Sequence, residues 1–209
     1  MAKVVDYLVW RIEIGDAAAL VAAQQNVLLD SITGKMVDVV VLYSYGRATL
    51  STLLESGFRG RVYLVRMEEE FRGPWVLHET DRIIEVLESN GIEHEEVSIG
   101  ELPPWLFRLK HNEKTFACLI GTRCILADQP NRTFYGPIGV RSLALTVRDM
   151  DGRVVLVAEG DKVVEDALIC DEYRKKQREV KPTSQPWTQV DVLEEAKHVD
   201  VVVVGQSIQ

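Results

Sequence analysis

The sequence has few of the residues that mark disulfide-bonded, metal-binding or membrane proteins. Cys118, Cys124 and Cys170 are odd in number and show no Cys-x-x-Cys spacing, so we expect reduced thiols in a cytoplasmic protein. Four histidines are scattered without metal-ligand spacing, which predicts no metal site. No apolar run approaches membrane-spanning length, and the N-terminus lacks the order of a secretory signal. We therefore expect no membrane association.

Positive charge is also scarce in this chain. Its 24 lysines and arginines stand against 32 aspartates and glutamates, which gives a formal net charge of −8. Broad nucleic-acid binding is not expected of such a chain, because phosphate backbones attract basic surfaces. The composition, 46% hydrophobic and 27% charged, is that of a globular protein, and 209 residues can bury one substantial core. One large domain with a short extra element is predicted.

The most informative stretch is MVDVVVLYSYGRATLSTLLESG, at residues 36–57. The β-branched run at 37–42 predicts a strand that is buried on both faces. A turn containing Gly46 follows, and apolar residues then recur at helical spacing from Arg47 until Gly57, which can close the helix in a left-handed conformation. A strand, a glycine-containing turn and a helix form the opening unit of many nucleotide-binding α/β proteins. We expect any small-molecule site to lie at this turn.

The rest of the chain alternates between strand and helix patterns. Further strands are predicted at 61–66, 92–99, 115–120, 154–158 and 199–204. Further helices are predicted at about 17–32, with Asp16 as its N-cap, and at 77–90, 103–109, 138–149 and 192–197. Residues 3–14 fit either a helix or a strand, and the strand at 199–204 fits either the same sheet or pairing with a second subunit.

Three connecting segments are predicted to lack regular structure. They are an acidic loop around 68–70, a long loop at 121–137, and a basic linker that contains Pro182 and Pro186. The alternating pattern predicts an α/β fold: a Rossmann-like open, mainly parallel sheet with helices on both faces. A short N-terminal helical element is assigned to residues 1–34, and the Rossmann-like domain to residues 35–209.

The turn after the first strand has the groups needed to hold an anion. Ser44, Gly46, Arg47 and Thr49 supply hydroxyls, a guanidinium and the N–H groups of a helix start. A capping turn with a solvent-facing arginine is the alternative interpretation. Ligands in open α/β sheets preferentially occupy such turns, so both interpretations stay open here.

Three arginines lie in or just after the long loop. Arg123, Arg132 and Arg141 could close a phosphate or carboxylate pocket together with Arg47. Alternatively, they are surface arginines, or they pair with Asp128. Loops of this length without periodic structure are uncommon unless they are functional, which favours the pocket for the group. The neighbouring Cys124 is interpreted as structural, because no histidine base is adjacent to it in sequence.

Three segments, taken in order, resemble the translation initiation factor 2B regulatory-subunit family. They are VVVLYSYGRATLSTLL at 39–54, IGTRCILADQPNRTFYGPIGVRSLAL at 120–145 and VVLVAEGDKVV at 154–164. The family includes the methylthioribose-1-phosphate and ribose-1,5-bisphosphate isomerases, and the resemblance covers about residues 16–166. It implies the family's Rossmann-like C-terminal domain, with only the last helix or two of the usual N-terminal helical domain.

The departures from this family bear on activity. At the position of the isomerases' catalytic cysteine the chain has Tyr45, and at that of their catalytic aspartate it has Arg123. Where the isomerases have an Asn-Lys pair, this chain has Gly136 and Pro137. The arginine of their loop after the second strand aligns near Glu68, and Arg66 and Arg72 are close by in sequence but out of register. Isomerisation needs the thiol and the carboxylate to move a proton between sugar carbons, so we do not expect it here. Asp128 matches the family's loop aspartate and is expected to position the loop.

The leading hypothesis is a non-catalytic member that keeps a cleft for a phosphorylated sugar or nucleoside monophosphate and uses no cofactor. The resemblance implies a homodimer, with the helix at 77–90 and the long loop as contacts, and a possible translation-factor partner. An isomerase-like enzyme using Tyr45, Arg123 and Asp128 is the alternative, and an interaction module without a ligand is a third. The predicted ligand-binding residues are Ser44, Tyr45, Gly46, Arg47, Thr49, Arg66, Gly121, Arg123, Asp128, Gly136 and Gly139.

Overall fold

The computed structural model of the chain describes residues 18–43, 46–66, 77–129, 132–179 and 190–205. Its strands are β1 (Val39–Tyr43), β2 (Arg61–Arg66), β3 (His94–Ser98), β4 (Phe116–Ile120), β5 (Cys124–Leu126), β6 (Thr133–Pro137), β7 (Arg153–Ala158), β8 (Val163–Val164), β9 (Val190–Glu194) and β10 (Val201–Val204). Its helices are α1 (Arg47–Glu55), α2 (Leu77–Ser89), α3 (Leu102–His111), α4 (Val140–Asp149) and α5 (Ala167–Glu179), and residues 18–24 are also helical.

The main sheet has six parallel strands in the order β10-β7-β4-β1-β2-β3. The chain winds outward from β1 to β3 on one side and from β4 to β10 on the other, so the order reverses between β1 and β4. This is the doubly wound arrangement of Rossmann-like folds, and it confirms the predicted α/β class. The final apolar run joins this sheet through β10, which pairs with β7.

Helices cover both faces of the main sheet, as predicted. One face packs α3 and α4 against residues such as Val41, Cys118 and Leu156. The other face packs α1, α2 and the helical residues 18–22 against Val40, Ala117 and Val155. The two central strands β1 and β4 are buried along their whole length, because both of their faces contact a core.

A second sheet occupies the segment that the sequence predicted to be a long loop. Its strand order is β8-β5-β6-β9, with β5 and β6 antiparallel. Ile125 and Phe134 face the main core, whereas Cys124 and Tyr135 face the opposite side, where α5 packs. The prediction of a structureless loop at 121–137 was wrong because strands of three to five residues become stable only through pairing across the sheet.

Two further predictions near the C-terminus were wrong. Helix α5 lies within the segment that was predicted to be a linker; only a few of its side chains, among them Cys170 and Tyr173, contact the second sheet, so its apolar periodicity is weak. The predicted helix at 192–197 is instead β9, whose alternating valines pair with β6, followed by a turn. The predicted linker prolines lie outside the described residues.

The first predicted helix is shorter than expected. Helical geometry ends at residue 24, and Asn26 adopts a positive φ of 52° that no continuing helix allows. Leu29 then pairs with Met36 in an isolated bridge. Ala18 and Ala22 pack into the main-sheet core, while the division at residue 34 stays a prediction. The N-cap Asp16, residues 3–14 and the acidic loop at 68–70 lie outside the described residues.

Candidate functional site

The candidate site lies where the strand order of the main sheet reverses. Because all six strands are parallel, their carboxyl ends meet at one edge, and ligands in open α/β sheets bind at the reversal on that edge. Thr49 Oγ donates a hydrogen bond to the carbonyl oxygen of Gly46 at 2.6 Å. A Cβ added to Gly121, just past β4, would lie 4.0 Å from Thr49 Cγ2. We call the space bordered by Gly46–Thr49 and Gly121–Thr122 the switch-point crevice.

The amino end of α1 opens onto this crevice. Gly46 is the N-cap, with an extended backbone (φ −128°), and within the described part of the chain no side chain caps the helix. The first turn of α1 also contains no acidic residue. The N–H groups of a first helical turn have no partner inside the helix, and together with the helix dipole they favour an anion. The local sequence therefore leaves this helix end suited to an external negative charge.

Arg47 and Thr49 lie in that first turn. Thr49 is buried and Arg47 is half-buried. A Cβ on Gly46 would approach Thr49 Oγ to 2.8 Å, so glycine is the residue that fits here without moving that hydroxyl. The structure thus places Gly121 beside the turn that contains Gly46, Arg47 and Thr49, and their ligand roles stay predictions. Ser44 and Tyr45 lie outside the described residues.

Gly139 also lies at the carboxyl end of β1. Its φ is +90°, and a Cβ added there would lie 2.6 Å from Tyr43 Oη. The Tyr43 hydroxyl donates a hydrogen bond to the carbonyl oxygen of Ile138, which ties β1 to the start of α4. Gly136, in contrast, lies within β6, where a Cβ would lie 2.8 Å from Val140 Cγ1. Gly136 therefore permits close packing of α4 on the second sheet.

Two predicted ligand residues are engaged elsewhere in the structure. Arg66 Nε donates to Glu96 Oε2 at 3.0 Å, across β2 and β3. Asp128 accepts two hydrogen bonds from Arg174 of α5, at 2.8 and 2.6 Å, and its side chain is only 6% exposed. These hydrogen bonds hold the pKa of the Asp128 carboxyl below its usual range. The contacts support the expectation that Asp128 positions its loop, and ligand roles for both residues stay predictions.

The three loop arginines each contact a different residue in or next to the second sheet, and their joint ligand role stays a prediction. The backbone N–H of Arg123 donates to the carbonyl oxygen of Tyr135 at 2.7 Å. Burial raises the pKa of Tyr173 in α5, and the positive charge of the exposed Arg123 side chain opposes that rise. Arg132 forms a two-bond ion pair with Glu195, at 2.8 and 2.6 Å. The Arg141 backbone N–H donates to Asp191.

Sequence reasoning missed Glu159 and Lys162 at the same edge of the sheet. Glu159 directly follows β7 and is 5% exposed, and its Oε2 lies 2.5 Å from Lys162 Nζ. The signal was available, because an acidic residue immediately after a buried parallel strand falls at the edge where ligands bind.

The cysteines have the environment of structural residues. Cys118, Cys124 and Cys170 are all buried and form no disulfide. Burial raises the pKa of each of the three thiols, which disfavours the thiolate that a nucleophile requires. Among the described residues, no group of three histidine, cysteine or acidic side chains could hold a metal ion.

A second concavity lies at the opposite edge of the main sheet. This surface cleft of about 250 Å³ is lined by strand starts such as Phe116 and Arg153 and by charged residues such as Lys110 and Lys114. Both lysines are ion-paired, Lys110 with Asp151 at 2.7 Å and Lys114 with Asp38 at 2.9 Å. These ion pairs tie both lysines to neighbouring carboxylates at the protein surface.

Fold and site together define a doubly wound Rossmann-like domain with an anion-compatible crevice at its switch point. No protein-family model and no curated protein matches the sequence. Solved structures do match it: the translation initiation factor eIF-2B from Pyrococcus horikoshii OT3 is 20% identical, with a TM-score of 0.55 over 78% of this chain and 52% of that one. Within the described residues, no helix is long and apolar enough to cross a membrane.

Two eukaryotic structures are similar to the same degree. eIF2B beta from Chaetomium thermophilum is 15% identical, with a TM-score of 0.57 over 90% of this chain and 47% of that one. A chain of the tetrameric eIF2B-beta2-delta2 complex from C. thermophilum is 17% identical, with a TM-score of 0.56 over 90% and 55%. This chain therefore has the fold of eIF2B subunits, as the sequence resemblance predicted, and spans about half the length of those structures.

Proposed function

We propose that this protein is a non-catalytic, eIF2B-like regulatory protein that binds a phosphorylated small molecule in the switch-point crevice. The observation that carries the proposal is the amino end of α1 at the reversal of strand order, where no side chain among the described residues caps the helix and the first turn contains no carboxylate. A phosphate there would accept hydrogen bonds from the backbone N–H groups of the first helical turn, and Arg47 would add positive charge. No cofactor is required by this arrangement.

The absence of catalysis is supported by the residues at the positions of the isomerases' catalytic groups. Arg123 stands where those enzymes have an aspartate, and its backbone is held by β6 through Tyr135. All three cysteines are buried thiols with raised pKa values, so none has the depressed pKa of an activated nucleophile. An isomerase-like enzyme that uses different residues is the second candidate. Buried Glu159 favours it, because a carboxylate at this edge can accept or donate a proton.

Assembly is the other half of the proposal. The similar C. thermophilum structure is a tetramer of two kinds of eIF2B subunit, and chains of this fold can therefore associate with one another. By that similarity we propose that this chain forms a cytoplasmic homodimer, with α2 at the contact, and that it binds a translation factor. The ligand would act on this assembly by stabilising one form of it.

A thermal-shift screen tests the ligand half directly. Purified protein is heated with inorganic phosphate, ribose 5-phosphate and AMP, using wild type, Arg47→Ala and the charge-matched control Arg59→Ala. Arg59 is exposed beyond the opposite end of α1, so its loss changes net charge without touching the crevice. At a ligand concentration 100 times Kd, binding adds about 2.7 kcal/mol of stability, or roughly 5–10 °C in Tm.

We expect one phosphorylated ligand to raise Tm in wild type and in Arg59→Ala but not in Arg47→Ala. Absence of a shift with every ligand, in a protein that unfolds cooperatively, would remove ligand binding and leave only an interaction role. NMR spectra of the same samples, recorded over time, test for turnover. If a new sugar phosphate accumulates, the protein is an enzyme and the regulatory proposal is wrong.

A further inference from the structure

The cleft at the amino edge of the main sheet has an apolar floor. Val37 and Phe116 line it as buried residues, and Met150 lines it as a partly buried one. Ile32 also lines the cleft, although it is 92% exposed, so this large aliphatic side chain is open to a further contact. The volume of about 250 Å³ equals that of about eight water molecules, which is smaller than the clefts that hold drug-sized ligands. The cleft therefore suits a small, partly apolar molecule.

Charged side chains of both signs also line this cleft, in equal number. Three are acidic and three are basic: Asp30, Glu113, Asp151, Lys110, Lys114 and Arg153. Both lysines have carboxylate partners. Asp30 accepts hydrogen bonds from the backbone N–H groups of Ile32 and Thr33, at 3.2 and 2.6 Å. A simple anion or cation would meet as many like charges as opposite ones here, whereas a zwitterion can match both signs.

Two of these charged groups keep free hydrogen-bonding positions. The Arg153 guanidinium has several N–H donors, of which one, on Nη1, donates to the carbonyl oxygen of Leu29 at 2.5 Å. Within the described ranges, its remaining donors have no acceptor in the protein. The Glu113 carboxylate likewise has no hydrogen bond or ion pair with another described residue. The cleft therefore offers a guanidinium to a carboxylate and a carboxylate to an ammonium.

Glu113 and Asp151 also occupy unusual positions for acidic residues. Each follows the end of a helix, α3 or α4, and their φ values are 54° and 63°. Glycine or asparagine is usual at such a position, because other residues adopt a positive φ at a cost. The negative end of the helix dipole makes a carboxylate there less favourable still, and it favours an ammonium. A ligand ammonium in this cleft would lower the repulsion between these carboxylates and the helix ends.

We propose that this cleft binds a free α-amino acid with an apolar side chain, of about the size of leucine or methionine. The α-ammonium of the ligand donates to the Glu113 carboxylate, and its α-carboxylate accepts from the Arg153 guanidinium. The ligand side chain lies on the apolar floor and covers Ile32. The cleft is at the opposite edge of the main sheet from the switch-point crevice, so this inference does not depend on the proposed function.

NMR titration with L-leucine and three analogues tests which parts of the ligand are recognised. Glycine lacks the apolar side chain, isoamylamine lacks the carboxylate and isocaproate lacks the ammonium. We expect L-leucine to shift the amide signals of Thr115, Phe116 and Arg153. It should bind about ten-fold or more tightly than each analogue, because each analogue lacks one set of contacts. No shift with L-leucine at high millimolar concentration, or an analogue that binds as tightly as L-leucine, would overturn the proposal.

Two variants with matched controls assign the contacts. Ile32→Ala removes an exposed side chain, so it should leave folding intact, and its control Leu168→Ala removes an 81% exposed side chain on α5. Glu113→Gln keeps the shape of the side chain and removes its charge, and its control Glu55→Gln does the same at the exposed end of α1. We expect the dissociation constant for L-leucine to rise about three-fold or more in Ile32→Ala and in Glu113→Gln, and to stay unchanged in both controls.

The analogues make the test of Glu113 selective. Glu113→Gln should also weaken the binding of isoamylamine and leave that of isocaproate unchanged, because only the amine has a group for this carboxylate. Unchanged L-leucine binding in either variant would overturn the proposal, even if L-leucine binds elsewhere on the protein. Thermal shifts with phosphorylated ligands test the switch-point crevice separately, so failure at one site is distinguishable from failure at the other.

Discussion

Buried polar residues of this chain differ in how completely their hydrogen bonds are satisfied. Asp128 has two hydrogen bonds from one guanidinium, which is a complete match between a carboxylate and an arginine. His198 is 1% exposed; its Nδ1 accepts the backbone N–H of Glu194 at 2.9 Å, and its buried Nε2 has no hydrogen-bond partner in the described part of the chain. The contacts of Asp128 stabilise its negative charge, whereas the surroundings of His198 fit only a neutral imidazole.

His198 should make the fold sensitive to mild acid. Burial, together with the nearby Arg141 charge, lowers the pKa of His198 below its ordinary 6.5. The Lys197 charge also lowers this pKa, whereas Glu194 raises it. The unfolded chain therefore binds a proton before the folded protein does, so stability falls as pH drops below about 6.5. Urea unfolding between about pH 7.5 and 5.5 measures this, above the range where carboxylates titrate.

The matched variants are His198→Gln and His111→Gln. His111 is exposed on α3, where it stacks on Phe107, so its replacement controls for the loss of a histidine. We expect His198→Gln to flatten the pH dependence of the unfolding free energy in this range and His111→Gln to keep it. An unchanged slope in His198→Gln would mean that another group titrates on unfolding.

At the residue scale, the sequence singled out the amino end of α1 as the candidate site, and the ligand roles of its residues stay predictions. Gly46, Arg47 and Thr49 could be predicted because a strand, a glycine turn and a helix follow one another in the chain. Glu159 was not singled out from the sequence, although it directly follows the buried strand β7; which strand lies beside it depends on the pairing of β7 with β4 across the sheet. Asp128 was expected to position its loop, but its partner Arg174 lies 46 residues away and had no signal in sequence.

Among the elements, buried strands and amphipathic helices were predicted, whereas short or exposed elements were not. The predictions for β1, β2, β4 and α1 were confirmed because each carries its own continuous apolar pattern. Strands β5 and β6 are short, and α5 presents mostly charged residues, so their stability comes from contacts that a linear pattern does not contain. The same reason explains why β9 was mistaken for a helix.

At the element scale, the contact between β1 and α4 can be tested by substituting Gly139. Gly139→Ala must place a methyl group where the Tyr43 hydroxyl lies, at a φ of +90° that disfavours alanine. Lost hydrogen bonding and backbone strain together should cost about 2–4 kcal/mol of unfolding free energy. Gly57→Ala is the control, because Gly57 has a φ of +67° but nothing within 4 Å of an added Cβ. That variant should lose only about 1 kcal/mol. Equal losses in chemical denaturation would show that the Tyr43 contact contributes nothing.

For the whole molecule, the two sheets share one core. Ile125, Phe134 and Leu193 of the second sheet pack in the same cluster as the main-sheet strands, and the chain crosses from β9 back to β10 through the turn that contains His198. The overall class could be predicted because alternating strands and helices have few stable arrangements. The second sheet could not, because it is built from segments on both sides of α4 and α5.

Self-association is the prediction that belongs to this scale. We expect light scattering after size exclusion to give twice the 23.6 kDa chain mass. If α2 forms the contact, Arg82→Glu on its exposed face should raise the dimer dissociation constant about ten-fold or more, because it adds a negative charge to the interface of an acidic chain. The control Arg59→Glu should leave the dissociation constant unchanged. A monomer at high concentration would refute the dimer, and equal effects of both variants would refute the assignment to α2.

The most direct measurement is amide chemical-shift mapping by NMR during titration with ribose 5-phosphate. If the switch-point crevice holds the phosphate, the largest changes fall on the N–H groups of Arg47, Ala48 and Thr49, with smaller changes at Gly121 and Thr122, and they vanish in Arg47→Ala. Changes confined to the opposite edge, around Lys110 and Lys114, or no changes at millimolar ligand, would contradict the assignment of the site.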